Sequence, residues 1–368
     1  PEVSGLIPFP ATNKVNIYMK KYYGIELLRF LTSVSVLLYH YRHFFGPLNN
    51  LNSNNYSEIL LDLPFYSFLG FFYTYGNYGV PVFFAISGFV FSFIYLSQTK
   101  ETTAKEFFIN RFARLYPLHF FTLIIVFFLQ YISLINFNSF QFNFINDLYH
   151  FMLQVFFISA WGLDDGHSFN GPIWSVSIEI FIYIIFFILI KKIKIFKLYI
   201  TVFIIIFLTI VDKLETGNNG VLFLDCGRLF FSGVLVYFLC DKFKNNILIL
   251  NLFSIILIIL SFINNFKIFL FCPALLMFFV TIEYAVEKKG IKFFFRSLGD
   301  LTYSIYLIHV PIQIAIVLLF SFFEVTATYF LSKIFFILYF LFIFLIAKSS
   351  FKFYEFPLNN FIRKKLTK

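Results

Sequence analysis

An all-α, polytopic transmembrane bundle of about ten spans is the fold class this sequence predicts, and three observations predict it. Hydrophobic residues make up 60% of the 368 and charged ones only 13%, too little polar surface to clothe a water-soluble globule of this size. The mean hydropathy is +0.83. The Lys and Arg behind the formal charge of +10 stand in short clusters between apolar runs. That is the pattern of loop charges in a membrane protein. A nucleic-acid-binding surface would instead show a basic patch interleaved with aromatics, and none is visible.

A crossing needs about 20 apolar residues. The first candidate span, 25–45, is entered from Lys20 and Lys21, and the second, 79–97, stops before Lys100. The third, 115–135, follows Arg111 and Arg114. Then come 172–190, 198–211, 221–240, 246–264, 267–286, 299–321 and 328–347. The apolar piece 148–161, at 14 residues, is too short to cross. An extra crossing there would also put Lys191, Lys192, Lys194, Lys197 and every later cluster on the wrong face, so it is assigned as re-entrant or interfacial. With ten spans and a cytoplasmic N-terminus, inner loops and tails collect 23 of the 29 basic residues, and both termini are expected to be cytoplasmic.

Residues 46–78 and 132–171 contain no Lys or Arg, are rich in Asn, Tyr and Phe, and include Asp164, Asp165 and His167. Such loops on the outer face suit a polar acceptor. Cys226, Cys240 and Cys272 lie in or beside apolar runs without metal-ligand spacing, so they read as packing residues, and neither a disulfide framework nor a metal site is expected. Without an internal repeat, a low-complexity linker or an appended soluble domain, the chain reads as one membrane domain over 22–358. Residues 1–21, where Met19 before Lys20 and Lys21 resembles a natural start, read as an N-terminal extension, and 359–368 as a basic cytoplasmic tail.

Ionisable residues inside the spans are costly and mark candidate sites. Arg29 and His40 are eleven residues apart, which in a helix is about three turns and roughly 16 Å, so they share one face. Alone, each has an ordinary explanation: Arg29 snorkels to the headgroups and His40 sits in the interface. Company at similar depth shifts the balance. Glu179 and Arg228 each lie about seven residues inside the outer ends of their spans, roughly 10 Å deep. His309 has Tyr303 and Tyr306 at helical spacing below it. Ser87 reaches a similar depth, although small pairs such as Ser87 and Gly88 more often pack helices than supply a nucleophile. A hydrogen-bond network that only specifies packing is the structural alternative.

These residues carry a family resemblance. "GIELLRFLTSVSVLLYH" resembles the first-span pattern of the acyltransferase 3 family, an Arg followed by a catalytic His, which falls on Arg29 and His40. "GNYGVPVFFAISGFVFSF" is similar to its second-span signature, on Gly76, Gly79, Phe83, Phe84, Ser87 and Gly88. "RFARLYP" resembles the basic loop before the third span. "GPIWSVSIEIFIY" resembles its Trp-Ser-Leu-x-x-Glu segment, on Trp174, Ser175 and Glu179, and "LGDLTYSIYLIHVP" its block ending in His, on His309. "RLFFSGVLVYF" and "FYEFP" fit later blocks. The match runs from about 22 to 358, and its specificity lies in the ordered set. Val176 replaces the usual Leu, Ile180 and Phe181 a common polar pair, and Thr302 the usual Ser. No hydrolase-like domain of the kind fused in some members is expected.

The resemblance implies an integral membrane O-acyltransferase that moves an acyl group, acetyl by family analogy, from cytoplasmic acyl-CoA to a hydroxyl of an extracytoplasmic carbohydrate such as an O-antigen, capsule or other cell-envelope glycan, lipid-linked or not. Acyl-CoA would be a substrate, and no permanently bound cofactor or nucleic acid is expected. Arg111 and Arg114, with Lys105 and the basic group 288–296, would meet its phosphates, and Arg29 would guide the thioester outward. His40 would act as general base, oriented or charged by Glu179. Arg228, or the hydroxyls of Tyr303 and Ser87, would stabilise the oxyanion, with Trp174 and His309 as further supporting residues. An acyl-His intermediate is equally writable. The high Phe, Ile and Asn content suggests an AT-rich bacterial genome and hence the bacterial inner membrane. A transporter or flippase for a polar or lipid-linked solute is the alternative outside enzymes. Against it stands the lack of an inverted repeat. A membrane acyltransferase working wholly from one face is the alternative within them.

Overall fold

The computed structural model describes residues 22–45, 59–96, 102–143, 145–192, 198–215, 222–264, 267–283 and 289–366. The expected N-terminal extension, residues 46–58 of the loop after the first span, and Lys100, Lys194, Lys197, Lys288 and Lys368 lie outside them.

Among the described residues the regular structure is helical throughout, without strands. Helix α1 (Tyr23–His40) runs into a 3-10 turn over Tyr41–Phe45. Helix α2 (Tyr66–Tyr75) and a 3-10 turn lead into α3 (Gly79–Leu96). Helix α4 (Ala104–Phe137) opens on a capping box, in which the Thr103 hydroxyl accepts from the Glu106 amide while the Glu106 carboxylate accepts from the Thr103 amide. It closes on Asn138 in the left-handed conformation. Its 34 residues rise roughly 51 Å, well beyond a hydrocarbon core of about 30 Å. The short α5 (Leu148–Val155) is capped by Asp147, and α6 spans Ile173–Lys192. Then follow α7 (Leu198–Glu215), α8 (Leu222–Lys242), α9 (Ile247–Ile263) and α10 (Ile268–Ile282). The amphipathic α11 (Lys289–Asp300) precedes α12 (Thr302–Phe322) and α13 (Lys333–Ser350). A π-turn over Phe351–Glu355 joins α13 to α14 (Phe356–Leu366).

Six of these stretches are long and apolar enough to cross a membrane: Tyr66–Leu96, Ala104–Phe137, Ile173–Lys191, Leu222–Lys242, Gly290–Phe322 and Lys333–Leu366. A helix also lies over each of the other four predicted ranges. These are poorer candidates by composition or length: α1 holds Glu26 and Arg29, α7 ends in Asp212, Lys213 and Glu215, and α9 and α10 have 17 and 15 residues.

Helices α3 and α8 touch backbone to backbone. A Cβ on Gly88 would overlap the Phe230 carbonyl, and one on Gly233 the Ala85 carbonyl, so the two Ser-Gly pairs, 87–88 and 232–233, form a reciprocal close crossing. Around it Phe89, Phe91, Phe186 and Phe230 are wholly buried, while Phe203, Phe207, Leu248 and Leu345 face outward. An apolar exterior around a packed, partly polar interior is what a bilayer selects.

Residues 138–172 fold into the bundle. The Gln154 carbonyl bonds the His119 ring at 2.8 Å. Asn170 donates to Thr122 of α4 and to the Leu307 carbonyl of α12, and the Trp161 indole donates to the Ser177 carbonyl of α6. Phe142, Phe157 and Phe169 adopt positive φ, a conformation that bulky side chains tolerate only where burial over-determines it. All three are buried.

Candidate active site

Side chains from α1, α3, α4, α6 and α12 converge on a cavity with about 870 Å³ of atom-free space, its opening to solvent included. At one end stand Arg29, Arg111 and Arg114. Arg29 is paired with Glu26, one turn earlier on α1, at 3.0 Å, and Glu26 is seated against Gly299, where a Cβ would overlap its carboxylate. Arg111 lies over the Phe91 ring, 4.6 Å from its centroid, which is the stacked arrangement a guanidinium favours over an ammonium.

Glu179 projects from α6 into the middle of this cavity. It accepts hydrogen bonds from Ser87 of α3 and from Tyr183, one turn along its own helix. At the other end the hydroxyls of Ser175 and Tyr306 meet at 2.7 Å. Tyr303 also lines the wall, and its hydroxyl donates to the Leu115 carbonyl at 2.6 Å.

One turn beyond Tyr306 on α12 comes His309, its ring centroid 6.3 Å from the tyrosine's. Its Nε2 meets Nδ1 of His40 at 2.8 Å. The two rings are within 16° of parallel, so the contact lies close to both ring planes. The proton positions follow from the neighbours. His309 Nδ1 faces the Ile305 carbonyl at 3.1 Å, and a carbonyl only accepts, so this nitrogen carries the hydrogen. In the neutral ring Nε2 is then the acceptor, and His40 Nδ1–H donates to it. His40 is left with an unprotonated Nε2, the lone pair a general base needs. Gln313, one further turn along α12, donates to the His40 carbonyl at 2.9 Å and fixes the end of α1.

His43 stacks on His40 with centroids 4.8 Å apart, and His167 lies near both His40 and Trp174, its ring 6.1 Å from the latter.

The structure thus gathers Arg29, Arg111, Arg114, Ser87, Glu179 and Tyr303 in one cavity, with His40 and His309 joined just past its Tyr306 end and Trp174 packed nearby. Two expectations are corrected. The group at Nδ1 of His40 is His309, whereas Glu179 bonds Ser87 and Tyr183. Arg228 does not line the cavity: it pairs with Asp212 at 2.9 Å and with Asp225, and stacks 4.1 Å from Phe269, so its charge is engaged in packing α7, α8 and α10. Sequence reasoning missed Glu26, Tyr183, His43 and Gln313. Tyr183 was within reach, since it stands four residues after Glu179 on the same helix face. Glu26 was too, three residues before Arg29 on α1, whereas nothing local marks Gln313 as a partner of His40.

The model of one protein family, described as an acyltransferase domain, matches residues 22–348. No curated protein and no solved structure was found to match the chain.

Proposed function

We propose, since the chain belongs to the acyltransferase 3 family, that this membrane acyltransferase moves an acetyl group from acyl-CoA to a hydroxyl of an extracytoplasmic carbohydrate of the cell envelope. The observation that carries this reading is a cavity running from three guanidiniums to Tyr306, with His309 one turn beyond on the same helix and bonded to a histidine whose Nε2 lone pair is free by hydrogen-bond logic. The phosphates of the donor meet Arg111 and Arg114, and Arg29 directs the pantetheine arm inward. His40 Nε2 takes the proton of the acceptor hydroxyl, and the oxygen attacks the thioester carbonyl. The tetrahedral intermediate collapses with cleavage of the C–S bond, and the leaving thiolate recovers the proton from His40. Ester and free CoA are the products. His309 positions His40, holding the tautomer and the ring plane.

In this reading every hydroxyl at hand already has a partner, Ser87 on Glu179, Tyr303 on the Leu115 carbonyl, and Ser175 and Tyr306 on each other and on the Pro172 carbonyl, so whichever stabilises the oxyanion must give up its present acceptor as the charge develops. The bundle crosses a bacterial inner membrane ten times with both termini cytoplasmic, and residues 138–172 form a re-entrant outer element. Support comes from their bonds to Thr122 and Leu307, in the interior of α4 and α12, since irregular backbone at membrane depth is tolerated only where protein buries it.

The test uses purified full-length protein in detergent with acetyl-CoA. His40→Ala is expected to abolish thiol release and transfer while CoA binding persists. Normal acylation by that variant would overturn the mechanism.

A further inference from the structure

The end of the cavity nearest the histidines is built from one turn of each of three helices. On α3, Phe83, Ser87 and Val90 line it at helical spacing, so Phe83 stands one turn, roughly 6 Å, beyond Ser87. Ser175 and Val176 stand about one turn beyond Glu179 on α6, and Tyr306 one turn beyond Tyr303 on α12. Contacts between the helices hold these groups at one level. The Ser175 and Tyr306 hydroxyls meet at 2.7 Å, and the Phe83 ring stands nearly edge-on to that of Tyr306, with 5.9 Å between centroids and 70° between planes. Val176 is buried and Phe83 partly so. The end wall therefore offers two chemistries, hydroxyls from Ser175 and Tyr306 and bare hydrocarbon from Phe83 and Val176.

A thioester carbon under attack has four bonds, and each needs a direction. The sulfur leads back along the cavity toward Arg29, Arg111 and Arg114, where the rest of the donor lies. The incoming oxygen stands on the side of His40, which takes its proton. The carbonyl oxygen, on which charge develops, belongs beside hydroxyls. The carbon substituent of the acyl group is left with the apolar part of the wall, and it is the only one of the four that gains by leaving water. Helix α3 is pinned little more than a turn away, at its close crossing with α8 through Gly88. Phe83 cannot retreat with its helix, and a longer chain must displace the ring itself.

We infer that Phe83, together with Val176, forms the acyl-chain subsite and restricts the donor to an acyl group of acetyl size. This rests on the acyl-CoA reading above.

The experiment compares CoA, acetyl-CoA and butyryl-CoA by titration calorimetry on the full chain in nanodiscs of zwitterionic lipid, without acceptor. Wild type is expected to bind butyryl-CoA about tenfold or more weakly than acetyl-CoA, the scale on which an apolar pocket discriminates by a methylene; partition of the longer chain into lipid would give the reverse order. Phe83→Ala is expected to close that gap by binding butyryl-CoA more tightly. Val176→Phe is expected to weaken acetyl-CoA relative to CoA, which has no acyl group. Wild type that binds butyryl-CoA as tightly as acetyl-CoA, or more tightly, overturns the inference without any variant, as does an unchanged gap in Phe83→Ala. If Phe83→Ala fails to bind CoA it has lost its fold, and Val176→Phe then decides: an acetyl-CoA affinity unchanged from wild type overturns the inference. Failure of wild type to bind CoA or either acyl-CoA removes the donor reading itself.

Discussion

His40 and His309 show how a reactive group is specified by its neighbour's neighbour. The Ile305 carbonyl decides the tautomer of His309, and His309 decides that of His40. Remove His309 and His40 keeps its place at the end of α1, held by Gln313, but loses its preferred tautomer. His309→Ala is therefore expected to lower kcat by about 10²-fold or more, within the range of general acid–base contributions, with KM for the donor nearly unchanged. Steady-state thiol release checks this, and a rise in KM with kcat preserved would mean that His309 serves donor binding instead. Arg29 and His40 were legible as residues of one helix face because eleven positions make three turns. The pairing of His40 with His309 was not, since 269 residues separate them and nothing local distinguishes a histidine partner from a carboxylate one. Glu179 was legible as a buried carboxylate in need of donors. Which donors depended on α3 passing within reach of α6.

At the level of elements, the α3–α8 crossing is the tightest constraint on the cavity, because α3 carries Ser87 and Phe91 into its wall. Adding a methyl at Gly88 forces the helices apart. Gly88→Ala is expected to cost about 1–3 kcal/mol, as overpacking does, and to lower the thermal midpoint in detergent. Gly290→Ala on α11, where a Cβ meets open space, is expected to leave it unchanged. Equal midpoints for the two variants would refute the close approach. Small residues at helix contacts were readable from the Ser-Gly pair. The shape of 138–172 was not: the sequence marks its apolar piece 148–161 as too short to cross, but the left-handed Phe142, Phe157 and Phe169 follow from burial against other helices. Helix α11 was missed as a separate element because 288–296 read as a basic loop group, although its Phe293 and Phe294 are exposed on one amphipathic helix, the mark of an interfacial segment.

For the molecule as a whole, sidedness joins chemistry to topology. The three native cysteines are buried, so single introduced cysteines are reporters. Leu163→Cys, exposed on the element proposed to lie outside, is expected to react with a membrane-impermeant maleimide in intact cells, and Lys365→Cys on α14 only after permeabilisation. Labelling of both in intact cells would overturn the ten-span orientation. By itself the sequence determined that the chain is a helical membrane protein, where most of its helices lie, and which polar residues sit among them, because hydrophobic burial and helical period act over neighbouring residues and are written in order. Tertiary structure alone decided that Arg228 serves packing, that Glu179 bonds Ser87 and Tyr183, that His309 holds His40, and that α14 reaches Asn110. Each of these is a contact between distant segments, set by helix crossings that depend on close packing across the whole bundle and that no local pattern encodes.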